Sequence, residues 1–160
     1  MLEKGKLLQI ATPEQIYRQP ITPFVARFTG VAGELPGRVV HVTADGACVV
    51  VGASIITART IGTLTPGAAV QLLVRPAATR LQPRDDAGEA DLLGGLEGVV
   101  ADVAYRGRGY DHVVVCPSGT LTAVHDPAAS PAGRRCEYGS IRTDASYTNE
   151  RQVAADTQLK

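Results

Sequence analysis

The apolar positions of the chain change their spacing once, near residue 30. Before that point Phe24, Val25 and Phe28 recur at helical spacing, and the signals around them are helix signals. Thr12, Pro13 and Gln15 supply a hydroxyl cap, a proline at the first helical position and a side chain able to reach back to the cap. They predict a helix that begins at Pro13 and ends by Gln19, because Pro20 has no amide hydrogen and restricts its predecessor. Thr22 and Pro23 repeat the start signal, and Gly30 is placed to end the second helix.

Beyond Gly30 the pattern becomes short valine-rich runs bounded by glycine, proline and aspartate, which predicts strands. Runs at 37–42 and 47–51 flank Asp45-Gly46, a hairpin turn signal, and "SIITA" follows at 54–58. A turn at 65–67 precedes a strand at 69–76, which Pro76 ends or places at an edge. Residues 82–90 read as a polar surface loop. A second series then echoes the first: "LPGRVVHV" at 35–42 aligns with "LEGVVADV" at 96–103, and each leads to a valine triplet, Val49–Val51 and Val113–Val115. The echo predicts two related β units in one or two small barrels. From Asp126 the chain reads as loop with a short strand near 135–141, and 146–160 as a polar tail.

Composition narrows the picture. Sixteen basic and sixteen acidic residues give no net charge and hence no long-range pull toward nucleic acid or anionic membrane. With 44% apolar residues but 4% aromatic ones and no tryptophan, the class is mainly β. Cys48, Cys116 and Cys136 are odd in number and lack C-x-x-C spacing, so neither a disulfide framework nor a zinc knot is supported, and a reducing cytoplasm fits best. Neither a signal peptide nor a membrane-spanning run is visible.

Catalytic motifs do not emerge. The Gly5-Lys6 pair lacks the upstream glycine and the hydroxyl residue of a phosphate-binding loop, and G-x-S-x-G, H-E-x-x-H and EF-hand patterns do not occur. His41, His112 and His125 read as ordinary strand histidines before they read as metal ligands, and Asp85-Asp86 as solvated loop carboxylates. Tyr105, Arg106, Arg108 and Tyr110 combine cations with stacking rings, as single-stranded nucleic acid requires; a hairpin connection is the plainer reading. Arg75, at a strand end, suits an anion, a partner carboxylate or a pairing inside its own domain.

The stretch "GKLLQIATPEQIYRQPITPFVARFTG" resembles the closing segment of the nucleotide-binding domain in ATP-binding subunits of ABC importers, through Gly5, Gln9, Thr12, Pro13, Ile16, Tyr17, Pro20, Phe24, Val25, Ala26, Phe28 and Gly30. "LTPGAAVQLLVRPAA" and "LEGVVADVAYRGRGYDHVVV" are similar to the regulatory region that follows it, through Gly67, Val70, Leu72, Val74, Arg75 and Pro76, and through Leu96, Gly98, Val100, Tyr105 and Gly107. The resemblance implies a remnant of the ATPase domain at 1–30, a TOBE region at 31–145 folded as a small OB-like β-barrel behind two short helices, and the tail at 146–160. It further implies a non-catalytic regulatory and dimerisation role in an importer of the iron, polyamine, thiamine or sugar type. ATP and magnesium would bind the ATPase domain and not this chain. The subunit would lie at the cytoplasmic face of the membrane beside permease subunits.

On that reading Tyr17, Phe24 and Phe28 are contacts to the ATPase domain or a second copy, and an exposed aromatic pair predicts a homodimer. Arg75, Arg106 and Arg108 are the candidates for contact with a small-molecule or ion ligand or with a partner. Anion-binding TOBE relatives carry Ser-Ala-Arg-Asn before the first strand; "GVAGELPG" stands there instead, which argues against oxyanion binding by that route. The competing expectation is a free-standing OB-like module for single-stranded nucleic acid.

Overall fold

The computed structural model describes residues 1–79, 81–83, 95–129, 132–133, 135–138 and 146–149. The chain opens with a small hairpin, β1 (Leu2–Glu3) against β2 (Lys6–Leu7). Helix α1 (Pro13–Arg18) starts on the expected capping box: the Gln15 amide donates to Thr12 Oγ1 at 3.3 Å and the Thr12 amide to Gln15 Oε1 at 3.1 Å. Helix α2 (Pro23–Phe28) is capped alike, with the Val25 amide donating to Thr22 Oγ1 at 3.2 Å. Six-residue helices do not persist alone in water, so both depend on the surface beneath them.

That surface is built from strands β3 (Gly33–Thr43), β4 (Gly46–Val51), β5 (Ser54–Thr60), β6 (Ala69–Val74), β7 (Leu81–Pro83), β8 (Leu96–Tyr105), β9 (Tyr110–Cys116), β10 (Gly119–Asp126), β11 (Arg135–Tyr138) and β12 (Ser146–Asn149). One sheet has the order β12-β5-β4-β3-β6, and the other β10-β9-β8-β11-β7. Matching β3 to β8, β4 to β9, β5 to β10 and β6 to β11 makes the two orders the same. The last strand of each unit crosses to the other: β7 follows β6 in sequence but pairs with β11, whereas β12 follows β11 and pairs with β6.

The sequence echo thus corresponds to two copies of one topology, down to local irregularities. The β3–β4 register shifts between Val39 and His41, and β8–β9 shifts between Val100 and Asp102, the aligned position. Gly37 and Gly98 are also equivalent. A Cβ on Gly37 would lie 2.5 Å from Val49 Cγ1 and 3.0 Å from the Val50 carbonyl oxygen; on Gly98 it would lie 2.7 Å from Val114 Cγ1 and 3.0 Å from the Val115 carbonyl oxygen.

One apolar core joins the units, with Leu35, Val49, Ile56 and Leu72 from the first meeting Val100, Val114, Leu121 and Val124 from the second. Each such burial contributes about 1.5–3 kcal/mol. The units also bond directly, since the Thr122 amide and hydroxyl both donate to the Ala32 carbonyl, at 2.6 and 3.0 Å.

The mainly β class matches the sequence expectation; the single small barrel does not. The two sheets do not close together. The first returns on itself only through β12, which meets β5 across two residues, and the second ends at β10 and β7 with no ladder pairing between them among the described residues. The hairpin turn also differs, since Ala44 and Asp45 form it while Gly46 is buried as the first residue of β4, against the backbone of Ala58. Residues 146–149, read from sequence as tail, form β12, because β6 offers them an antiparallel edge. The Asp85-Asp86 pair lies outside the described residues, as does 150–160. Among the described residues no helix is long and apolar enough to cross a membrane.

Candidate functional site

The seam between the helical segment and the β body is organised by Arg75. Its place follows from the strand before it: Val70, Leu72, Leu73 and Val74 are all buried, and Pro76 then turns the chain, so Arg75 enters the interior at 1% exposure. The guanidinium meets the helical segment at several points. Nη1 donates to the Ala26 carbonyl at 3.0 Å, the Gly30 carbonyl at 2.8 Å and Thr29 Oγ1 at 2.6 Å, and Nη2 donates to the Tyr17 carbonyl at 2.9 Å. Its carbon centre also lies 4.5 Å from the centroid of the Tyr17 ring. Nε is buried without a hydrogen-bond partner.

Burial lowers the Arg75 pKa below its ordinary value, with Tyr17 acting the other way, yet a guanidinium remains charged near neutrality. A buried cation without that fan of acceptors would be strongly unfavourable. The surrounding apolar contact is small, a cluster of Ala26, Ile61 and Leu73 with Val31 against it. A second tie, Arg27 to Glu34 at 2.7 and 3.0 Å, joins α2 to β3. Polar bonding at Arg75 thus acts together with the burial of Val25 and Ala26 on α2 to hold the helices down.

The other sequence candidates fall elsewhere. Phe24 and Phe28 sit 6.2 Å apart on α2, with Phe28 70% exposed and Phe24 half-buried. Tyr105 and Tyr110 face each other at 5.2 Å across the β8–β9 turn, the Tyr105 hydroxyl donating to the Gly107 carbonyl at 2.8 Å. Arg106 lies 3.2 Å from Asp111, which is itself 3.2 Å from His125, while Arg108 is exposed in the same turn. Half of this basic run is therefore answered by its own carboxylate. His112 is buried and near the Val124 carbonyl, and His41 is exposed on β3. Among the described residues no three His, Cys, Asp or Glu side chains gather as metal ligands.

A groove of about 760 Å³ opens beside the same seam. The α1–α2 connector (18–21) forms one wall, and the β3–β4 turn and the end of β5 (59–62) form the other. Three segments far apart in sequence build it, so no motif announced it.

Residues 72–141 match the family model of the TOBE domain. The chain is a homologue of the C-terminal part of ABC importer ATP-binding subunits. It is 33% identical over 120 residues to the spermidine/putrescine import ATP-binding protein PotA of Methylococcus capsulatus, covering 74% of this chain and 30% of that protein. It is also 33% identical over 128 residues to the Fe(3+) ions import ATP-binding protein FbpC of Brucella abortus, covering 80% of this chain and 33% of the relative. The chain spans about a third of the length of the curated relatives it matches. Among solved structures, the cytoplasmic molybdate-binding protein ModG shares the fold at a TM-score of 0.53 and 13% identity, over 75% of this chain and 97% of that one. TOBE domains are non-catalytic, and these relationships support a regulatory C-terminal domain.

Proposed function

We propose that this chain is the regulatory and dimerisation domain at the C-terminal end of the ATP-binding subunit of an ABC import system. It pairs with a second copy, responds to a small ligand, and works on the cytoplasmic side beside membrane permease subunits, while ATP and magnesium bind elsewhere in the subunit. The Arg75 fan carries the reading. It couples the segment that resembles the end of an ATPase domain to the β body, so a rearrangement of the body is felt by that segment. A ligand that binds one arrangement better than another then shifts the population of the attached catalytic parts.

The exposed Phe28 ring on the coupled segment supports pairing, because an aromatic left in water is a natural contact for a second chain. Sedimentation equilibrium on the purified chain is expected to give a dimer that Phe28→Ser shifts toward monomer, and an ATPase assay to give no turnover. A monomer at every concentration tested, or ATP hydrolysis by this chain, would overturn the proposal.

A further inference from the structure

We propose that the groove between the α1–α2 connector and the β body is a binding site for a small organic anion: one or two carboxylates attached to an apolar body. This rests on the ligand-responsive half of the proposed function and gives it a place and a chemistry.

Two arginines are among the residues that line the groove, Arg18 at the end of α1 and Arg59 near the end of β5. They are adjacent across the seam, since Arg59 Nη1 donates to the Arg18 carbonyl at 3.3 Å. Arg18 also lies 3.3 Å from Glu14, but that pair is an i,i+4 contact on an open surface, a weak competitor for a ligand carboxylate. Guanidinium forks recognise carboxylates through paired N–H bonds. Pro20, Ile21 and Ile61 supply the apolar part of the wall, and Ile21 is 56% exposed.

Size and charge narrow the ligand further. The volume of about 760 Å³ lies within the usual range for organic ligands and far exceeds what a bare tetrahedral oxyanion fills. Asp45, also in the lining, sets a carboxylate against two arginines, which favours a ligand of low charge with a hydrocarbon body over a compact polyanion. The connector is already fixed: Gln9 Nε2 donates to the Gln19 carbonyl at 3.0 Å, and the Ile21 amide to Gln9 Oε1 at 3.4 Å. A dicarboxylate bridging Arg18 and Arg59 fastens helix to body next to the Arg75 fan, so occupancy stiffens the joint on which regulation depends.

The test is a titration of the whole chain followed by two-dimensional amide NMR, with adipate, inorganic sulfate and spermidine as the three ligands. Adipate is expected to shift the amides of Arg18, Gln19, Ile21 and residues 59–62 saturably. Arg59→Gln and, separately, Arg18→Gln should each weaken that binding about tenfold, while the remaining amides report an intact fold. Sulfate should bind at least about tenfold more weakly, and spermidine should leave the groove unmoved. Absence of adipate shifts there, indifference to both substitutions, equal binding of sulfate, or groove shifts with spermidine would each overturn the assignment. None of these outcomes alters the sedimentation and ATPase results, so the regulatory reading stands or falls separately.

Discussion

Replacing Arg75 by methionine asks directly whether one side chain holds the helices to the body. Methionine keeps an unbranched apolar stem but stops short of the guanidinium and removes every donor, leaving the Tyr17, Ala26 and Gly30 carbonyls and the Thr29 hydroxyl without that partner. A hydrogen bond from a charged donor contributes about 1.5–3 kcal/mol, but these do not add. Two effects offset the loss: the variant avoids desolvating a cation, and the freed carbonyls at a partly open seam regain water. A net cost of about 2–4 kcal/mol follows. The loss should be local, since the hydrogen bonds of the Arg75 side chain all go to the helical segment, at Tyr17, Ala26, Thr29 and Gly30.

Native-state hydrogen exchange reads this residue by residue. In the parent chain the Ala26, Thr29 and Gly30 amides are bonded to the Thr22, Val25 and Arg27 carbonyls at 3.1, 3.1 and 3.0 Å. In Arg75→Met they should exchange about 30- to 700-fold faster, at about 1.4 kcal/mol per factor of ten. The Val39 amide, bonded to Ala68 within the body at 2.9 Å, should keep its rate. Unchanged α2 exchange would refute the latch. Equal acceleration of both regions would show that Arg75 supports the whole fold and not the joint.

Further outcomes follow from the same geometry. Gly37→Ala and Gly98→Ala should each cost about 1–3 kcal/mol in urea unfolding, and to a similar extent, because the added methyl meets equivalent valines and carbonyls in the two units. A loss at one site only would contradict the equivalence. Phe28→Ser should change monomer stability by less than about 0.5 kcal/mol, since the ring is exposed, while weakening self-association. A fluorescent oligonucleotide titrated at physiological salt should not bind, because Asp111 answers Arg106 and the chain has no net charge; salt-sensitive binding lost in Arg108→Gln would revive the nucleic-acid alternative.

What the sequence made legible was local. The Thr12 capping box and the Thr22-Pro23 start are contained within a few residues, and both helices begin where those residues place them. The two-unit echo was visible because glycines and valines that pack at short range must recur in order. Pairings decided by distant segments were not visible. Gly46 reads as a turn residue until Ala58 from β5 is seen to crowd it. The crossing strands β7 and β12 are too short to show a period, and only the edge each joins makes it a strand. Arg75 was singled out by its place at a strand end, but its partners lie 45 to 58 residues away, so the choice between ligand contact and internal pairing needed the fold.

The central claim is that the helical segment and the β body move as one because Arg75 joins them. Pulsed electron-spin distance measurement tests it most directly, with one label on Glu14→Cys in α1 and the other on Cys48 in β4, in a chain whose Cys116 and Cys136 are replaced by serine. The account predicts a single narrow distance distribution that broadens when Arg75→Met is added. A distribution already broad with Arg75 present, or equally narrow without it, would contradict it.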